Sequence, residues 1–137
     1  MPSAAELAAI LRQARTIAVV GVSPRPERPS HQVAAYLQAA GYRVVPVRPD
    51  GQRILGERVY PSLAAAGAAG PIDIVNIFRR SEAVAELADD LLALRPRLVW
   101  LQVGVRDPAT AARLEAAGIP VVMDRCLMVD HRSLGGP

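Results

Sequence analysis

The residues best placed to do chemistry lie in stretch 16–30, TIAVVGVSPRPERPS, where an apolar run meets Gly21 and then a loop carrying Arg25 and Arg28. Ser30 closes that loop and reads as the cap of a helix. A helix start leaves backbone N–H groups unpaired and carries partial positive charge, so two guanidinium groups ahead of it suit a phosphate. His31, just inside the helix, either meets the same anion or stands exposed. Arg48 follows a second apolar run, at the place where nicotinamide-cofactor sites carry Asp or Glu for the ribose hydroxyls. An arginine there suits a ribose bearing an extra phosphate, or is a solvated loop residue. Phe78 and Arg79 end a third run, so Phe78 is either core or a surface for a flat base. The first loop has the single glycine Gly21 and no GxGxxG pattern, which disfavours ordinary dinucleotide binding. A separate chemistry is a Cys126 nucleophile with His131, five positions on, as its base. Against it, a lone cysteine after a buried strand is commonly a small core residue, and a histidine there can be structural. Asp124 either pairs with Arg125 or caps the final turn.

These side chains need a scaffold, and the pattern supplies one. Ser3 and Glu6 form a capping box ahead of Leu7, Ile10 and Leu11, predicting a helix over 3–14. A strand over 16–22 leads through the arginine loop to a helix from Ser30, with Val33, Ala34, Leu37 and Ala40 on one face and Gly41 at its end. The next strand is 42–47. Beyond the Asp50-Gly51 turn, Val59-Tyr60 offers a short strand at most, and Ser62 caps an alanine-rich helix ending near Gly67 or Gly70. A strand over 72–78 precedes a helix capped by Ser81, with Val84, Leu87, Leu91 and Leu92 on its apolar face. A strand over 98–103, a helix from Asp107-Pro108 to Gly118 and a last strand over 120–123 complete the series. Continuous apolar strands alternating with helices predict an α/β fold: a Rossmann-like, doubly wound, mainly parallel sheet with helices on both faces. In such a sheet ligands bind beyond the carboxyl ends of the strands where the strand order reverses, which directs attention to loops 22–30, 48–51 and 78–81.

Composition narrows the classes. A chain of 137 residues is one domain, 1–137, able to bury roughly two-thirds of its unfolded surface. The 51% apolar and 21% charged residues, with no apolar run near the roughly 20 residues of a membrane span, predict a globular protein without a membrane role. The N-terminus carries Glu6 and no basic leader, so it reads as an amphipathic helix rather than a signal peptide, and a single cysteine agrees with a reducing compartment. The expected location is the cytoplasm. The net charge of +3 comes entirely from arginine, but those arginines are dispersed and only five aromatics accompany them, so a small anionic ligand is expected rather than a nucleic acid.

Six segments, GVSPRPERPSHQV at 21–33, GYRVVPVRP at 41–49, ILGERVYPSL at 54–63, DIVNIFR at 73–79, WLQVGV at 100–105 and AGIPVVMDRC at 117–126, together resemble the CoA-binding domain family. These are small Rossmann-like proteins similar to the N-terminal domain of the succinyl-CoA synthetase alpha subunit. The resemblance covers nearly the whole chain. It implies that Gly21, Val22, Ser23, Arg28 and Ser30 surround the phosphates of coenzyme A, that Pro49 lies by the adenosine, and that Phe78 and Arg79 line the adenine side. The family commonly has Asn where this chain has Arg48. The chain does not contain the phosphohistidine and ATP-grasp portions with which the synthetase works. The resemblance therefore implies CoA binding rather than ligase activity, and the leading reading is a non-catalytic binder of a small-molecule ligand, CoA or an acyl-CoA. The alternatives are an enzyme acting on a CoA thioester through Cys126 and His131, and a protein binding NADP or another nucleotide in the same pocket.

Overall fold

The computed structural model describes residues 1–134. Helix α1 (Ala4–Gln13) begins at the Ser3–Glu6 capping box, both of whose hydrogen bonds form. Strand β1 (Thr16–Val20) leads to α2 (Pro29–Ala39) and β2 (Arg43–Val47). A small hairpin, β3 (Arg53–Ile54) and β4 (Glu57–Arg58), precedes α3 (Leu63–Ala69) and β5 (Ile74–Ile77). Then come α4 (Ser81–Val84), a 3-10 turn (Ala85–Leu87), α5 (Ala88–Leu94), β6 (Leu98–Leu101), α6 (Pro108–Ala116), β7 (Val121–Val122) and α7 (Leu127–Ser133).

The sheet is parallel throughout, in the order β2-β1-β5-β6-β7. Its central strands are mostly β-branched or aliphatic because both faces are covered, with Asn76 of β5 and Trp100 of β6 as the exceptions, and successive side chains point to opposite faces. Ile17 and Val19 of β1 pack with Leu7 and Leu11 of α1, Val33 and Leu37 of α2, and Leu127 of α7. Ala18 and Val20 pack on the other face with Leu63 of α3, Leu91 of α5 and Leu114 of α6. The predicted α/β architecture is therefore the observed one.

Several local expectations give way to the structure. The Val59-Tyr60 strand is reduced to a single parallel bridge from Tyr60 to Val47, the last residue of β2. Ser30 does not cap α2. Arg28 is the N-cap, without a side-chain hydrogen bond, and Pro29, which has no N–H to satisfy, takes the first helical position. Ser81 likewise lies inside α4 behind the cap residue Arg80, its hydroxyl donating to the Gly104 carbonyl and accepting from the Arg106 N–H. The single helix expected after it is interrupted at 85–87, a stretch with no glycine or proline to mark the break. Helix α7 was not anticipated because its N-cap, Cys126, makes no side-chain cap bond. Tertiary contacts hold it: Leu127 is fully buried and its N–H donates to Gln102 Oε1 at 2.9 Å.

Candidate functional site

From β1 the chain crosses through α2 to β2 on one side, whereas β5, β6 and β7 extend the sheet on the other. The gap between the loops leaving β1 and β5 is the switch point, and a cleft of about 900 Å³ opens over the carboxyl ends of these strands. Gly21 sets its floor. Its φ of +83° and the 2.1 Å that would separate a Cβ from the Phe78 carbonyl oxygen leave room for no side chain. Its N–H donates to the Val47 carbonyl at 2.9 Å, so one residue ties together the ends of β1, β2 and β5.

The following loop is held by its own serines. The Ser23 N–H donates to Ser30 Oγ at 2.9 Å and the Arg25 N–H to Ser23 Oγ at 3.1 Å. His31 Nδ1 lies 3.0 Å from the Ser23 carbonyl, which can only accept, so that nitrogen carries the proton. Ser30 is thus a loop brace rather than a helix cap. The backbone N–H groups of Ser30 and His31 still fall in the first turn of α2, where the helix ladder cannot use them.

Five arginines, Arg25, Arg28, Arg48, Arg79 and Arg80, line the cleft, and no carboxylate does so among the described residues. Arg48 is fixed: Nε and Nη2 donate to Asp50 Oδ1 at 3.0 and 2.9 Å, and Nη1 donates to the Val22 carbonyl at 3.2 Å. The other four make no ion pair among the described residues. Such a concentration of unneutralised guanidinium favours a multiply charged anion.

The structure brings together Gly21, Ser23, Arg25, Arg28, Ser30, Arg48, Phe78 and Arg79 around this one cleft. Val22 is 1% exposed and its side chain belongs to the core, leaving only its backbone near the site. Pro49 lines an adjoining recess of about 210 Å³, shared with Gly21, Arg48 and Arg79. Residues not singled out from the sequence complete the wall, Arg80 next to Arg79 and, on the β6–β7 side, Gln102, Val103, Val105 and Met128, and Cys126, the candidate nucleophile, stands with the latter group. The one available signal for Gln102 was a polar residue ending a buried run.

Cys126 and His131 do not form a pair. Cys126 borders the cleft, while His131 is 2% exposed, its Nδ1 2.7 Å from the Tyr36 hydroxyl and its ring edge-on to Tyr36 and Tyr42. Burial pushes the His131 pKa down from its ordinary value. Its ring faces a different hollow, about 760 Å³ at the amino end of the sheet, lined also by Arg12, Arg15 and Arg43. Asp124 pairs with Arg106 rather than Arg125, and accepts from the Gly104 N–H at 2.7 Å, a bond that lowers its pKa. Arg125 pairs instead with Asp130. Among the described residues no cluster of His, Cys, Asp and Glu could hold a metal ion, and no helix is long and apolar enough to cross a membrane.

Fold and cleft together define a single-domain, Rossmann-like α/β protein with a basic cleft at its switch point. Within that class the chain belongs to the CoA binding domain family, whose pattern matches residues 15–132. It is 42% identical over 130 residues to the uncharacterized protein YneT of Bacillus subtilis, covering 95% of each chain. It is similar to a Thermus thermophilus protein of solved structure, with 47% identity over 98% of this chain and 100% of that one and a TM-score of 0.92. A hypothetical protein from Pyrococcus horikoshii OT3 matches at 30% identity over 97% of this chain and 92% of its own, with a TM-score of 0.90.

Proposed function

We propose that this protein binds coenzyme A or an acyl-CoA in the switch-point cleft, and that it acts as a binder rather than an enzyme of the thioester. The observation that carries the reading is a cleft lined by five arginines and, among the described residues, no carboxylate, in a chain of the CoA binding domain family. In this reading the diphosphate meets Arg25, Arg28, Ser23 and the first-turn N–H groups of Ser30 and His31, with Gly21 and the Val22 backbone beneath. Arg48, held in place by Asp50, takes the phosphate on the ribose, with Pro49 beside the adenosine. Phe78 and Arg79 offer an aromatic face and a guanidinium plane to the adenine. When bound, the ligand supplies a thiol or thioester on a flexible arm, for which the β6–β7 side of the cleft is the available path. A non-catalytic role is supported by His131 being committed to Tyr36, away from the cleft.

Calorimetric titration with CoA, NAD and NADP side by side tests the assignment. Micromolar-range binding of CoA, with NAD and NADP weaker, is expected. Heat with NAD and none with CoA would overturn it. Sustained thiol release from acetyl-CoA, abolished in Cys126→Ser, would overturn the non-catalytic part.

A further inference from the structure

The cleft is polarised. Its arginines come from the loops that follow β1, β2 and β5, whereas its wall at the end of β6 carries Val103, Val105, Cys126 and Met128. Cys126 and Met128 join that wall because the chain leaving β7 folds back over β6: the Arg125 N–H donates to the Leu101 carbonyl at 3.3 Å and the Leu127 N–H to Gln102 Oε1 at 2.9 Å. Arg106 and Arg125, the arginines nearest this wall in sequence, are paired with Asp124 and Asp130 and do not line the cleft.

Val103 is 66% exposed, and among the described residues it is the one large apolar side chain so exposed that lines the cleft. A tight turn puts it there. The Val105 N–H donates to the Gln102 carbonyl at 2.9 Å, and Gly104, with a φ of +83°, takes the position where a type II turn needs glycine. The turn is braced: the Gly104 N–H donates to Asp124 Oδ1 at 2.7 Å, its carbonyl accepts from the Ser81 hydroxyl at 3.3 Å, and that hydroxyl accepts from the Arg106 N–H at 2.9 Å. Val103 is thus held out on fixed backbone, so covering it removes apolar surface from water without first ordering a loop.

What can cover it follows from length. The ends of β1 and β6 lie two strand steps apart, about 10 Å at the usual spacing of about 4.8 Å per step. The arm joining the diphosphate of CoA to its sulfur is about twelve bonds long and spans at most about 14 Å, at the roughly 1.2 Å per bond of an extended chain. A thioester on that arm reaches the end of β6 while the diphosphate stays on loop 22–30. We propose that the physiological ligand is the CoA thioester of an uncharged aliphatic acid, with its acyl chain packed on Val103, Val105 and Met128; this rests on the CoA-binding reading above. A carboxylated acyl group is disfavoured, because its charge would lie on apolar side chains with no cation to receive it.

The experiment is calorimetry with CoA, butyryl-CoA and succinyl-CoA, the two thioesters being alike in chain length and different in the terminal carboxylate. Butyryl-CoA should bind at least about tenfold tighter than either of the others, since each buried methylene contributes about fourfold. Val103→Ser should cut the preference for butyryl-CoA over CoA at least about threefold. Val103→Arg, which places a cation on the wall, should make succinyl-CoA the tighter of the two thioesters. Both changes fall on an exposed turn tip, outside the two cores. If CoA binds but butyryl-CoA is no tighter, or succinyl-CoA binds as tightly as butyryl-CoA, or the butyryl preference survives Val103→Ser, the proposal fails and CoA binding stands. If none of the three binds, both readings fail.

Discussion

Replacing Gly21 by alanine tests whether the switch point depends on a backbone approach that no side chain can enter. Two costs combine. An L-residue at the Gly21 φ of +83° costs about 1–2 kcal/mol. The new methyl group would also lie 2.1 Å from the Phe78 carbonyl oxygen and 3.1 Å from Arg79 Cδ, forcing the ends of β1 and β5 apart at a further cost of about 1–3 kcal/mol. The total is about 2–5 kcal/mol, or a Tm lower by roughly 8–20 °C in a domain of this size. Gly56 provides the control. Its φ of +76° is similar, but a Cβ there meets nothing within 4 Å, so Gly56→Ala should show the backbone cost alone. Urea unfolding of the two variants reads the difference directly. Equal destabilisation, within about 0.5 kcal/mol, would refute the close-approach argument.

Arg28→Ala should weaken CoA binding about ten- to a hundredfold by calorimetry, the loss expected for a charge-assisted hydrogen bond, whereas Arg12→Ala, at the amino-end hollow, should leave it unchanged. Equal affinities in the two variants would remove Arg28 from the site. The wild-type affinity should also fall as salt rises, because the arginine side chains are largely exposed to screening. The folded chain holds the His131 pKa below its ordinary value of 6.5, so between those two values the unfolded chain binds more protons. The contribution of this group is therefore complete above pH 6.5 and is lost as pH falls through the folded pKa. Urea midpoints at pH 7.5 and 5.5 should differ less in His131→Asn than in the wild type. An identical pH dependence would contradict that burial account.

The parallel sheet was legible because strands covered on both faces are largely apolar, and 16–20, 43–47, 74–77 and 98–101 carry that mark apart from Thr16, Arg43 and Asn76. The position of the cleft followed from the same pattern, since the strand order fixes which loops meet over Gly21. What the sequence did not disclose are the bonds made across the fold. Ser30 carries a capping residue's chemistry, but its hydroxyl serves Ser23 once Pro29 has taken the first helical position. His131 is near Cys126 in the chain, but the ring is drawn between Tyr36 and Tyr42, partners remote in sequence. Gln102 becomes part of the wall only because Asn76 and the Leu127 N–H orient it. Helix α7 escaped notice for a related reason: its stability resides in Leu127 and in the Tyr36–His131 contact, with no local cap to announce it.

The structure of the CoA complex tests the central claim most directly. The account predicts the diphosphate within hydrogen-bonding distance of loop 22–30, with Arg25 and Arg28 turned onto it, Phe78 against the adenine, and the thiol arm directed along the β6–β7 side of the cleft. CoA seated in the amino-end hollow against Arg12, Arg15 and Arg43, with loop 22–30 making no contact to it, would contradict the account.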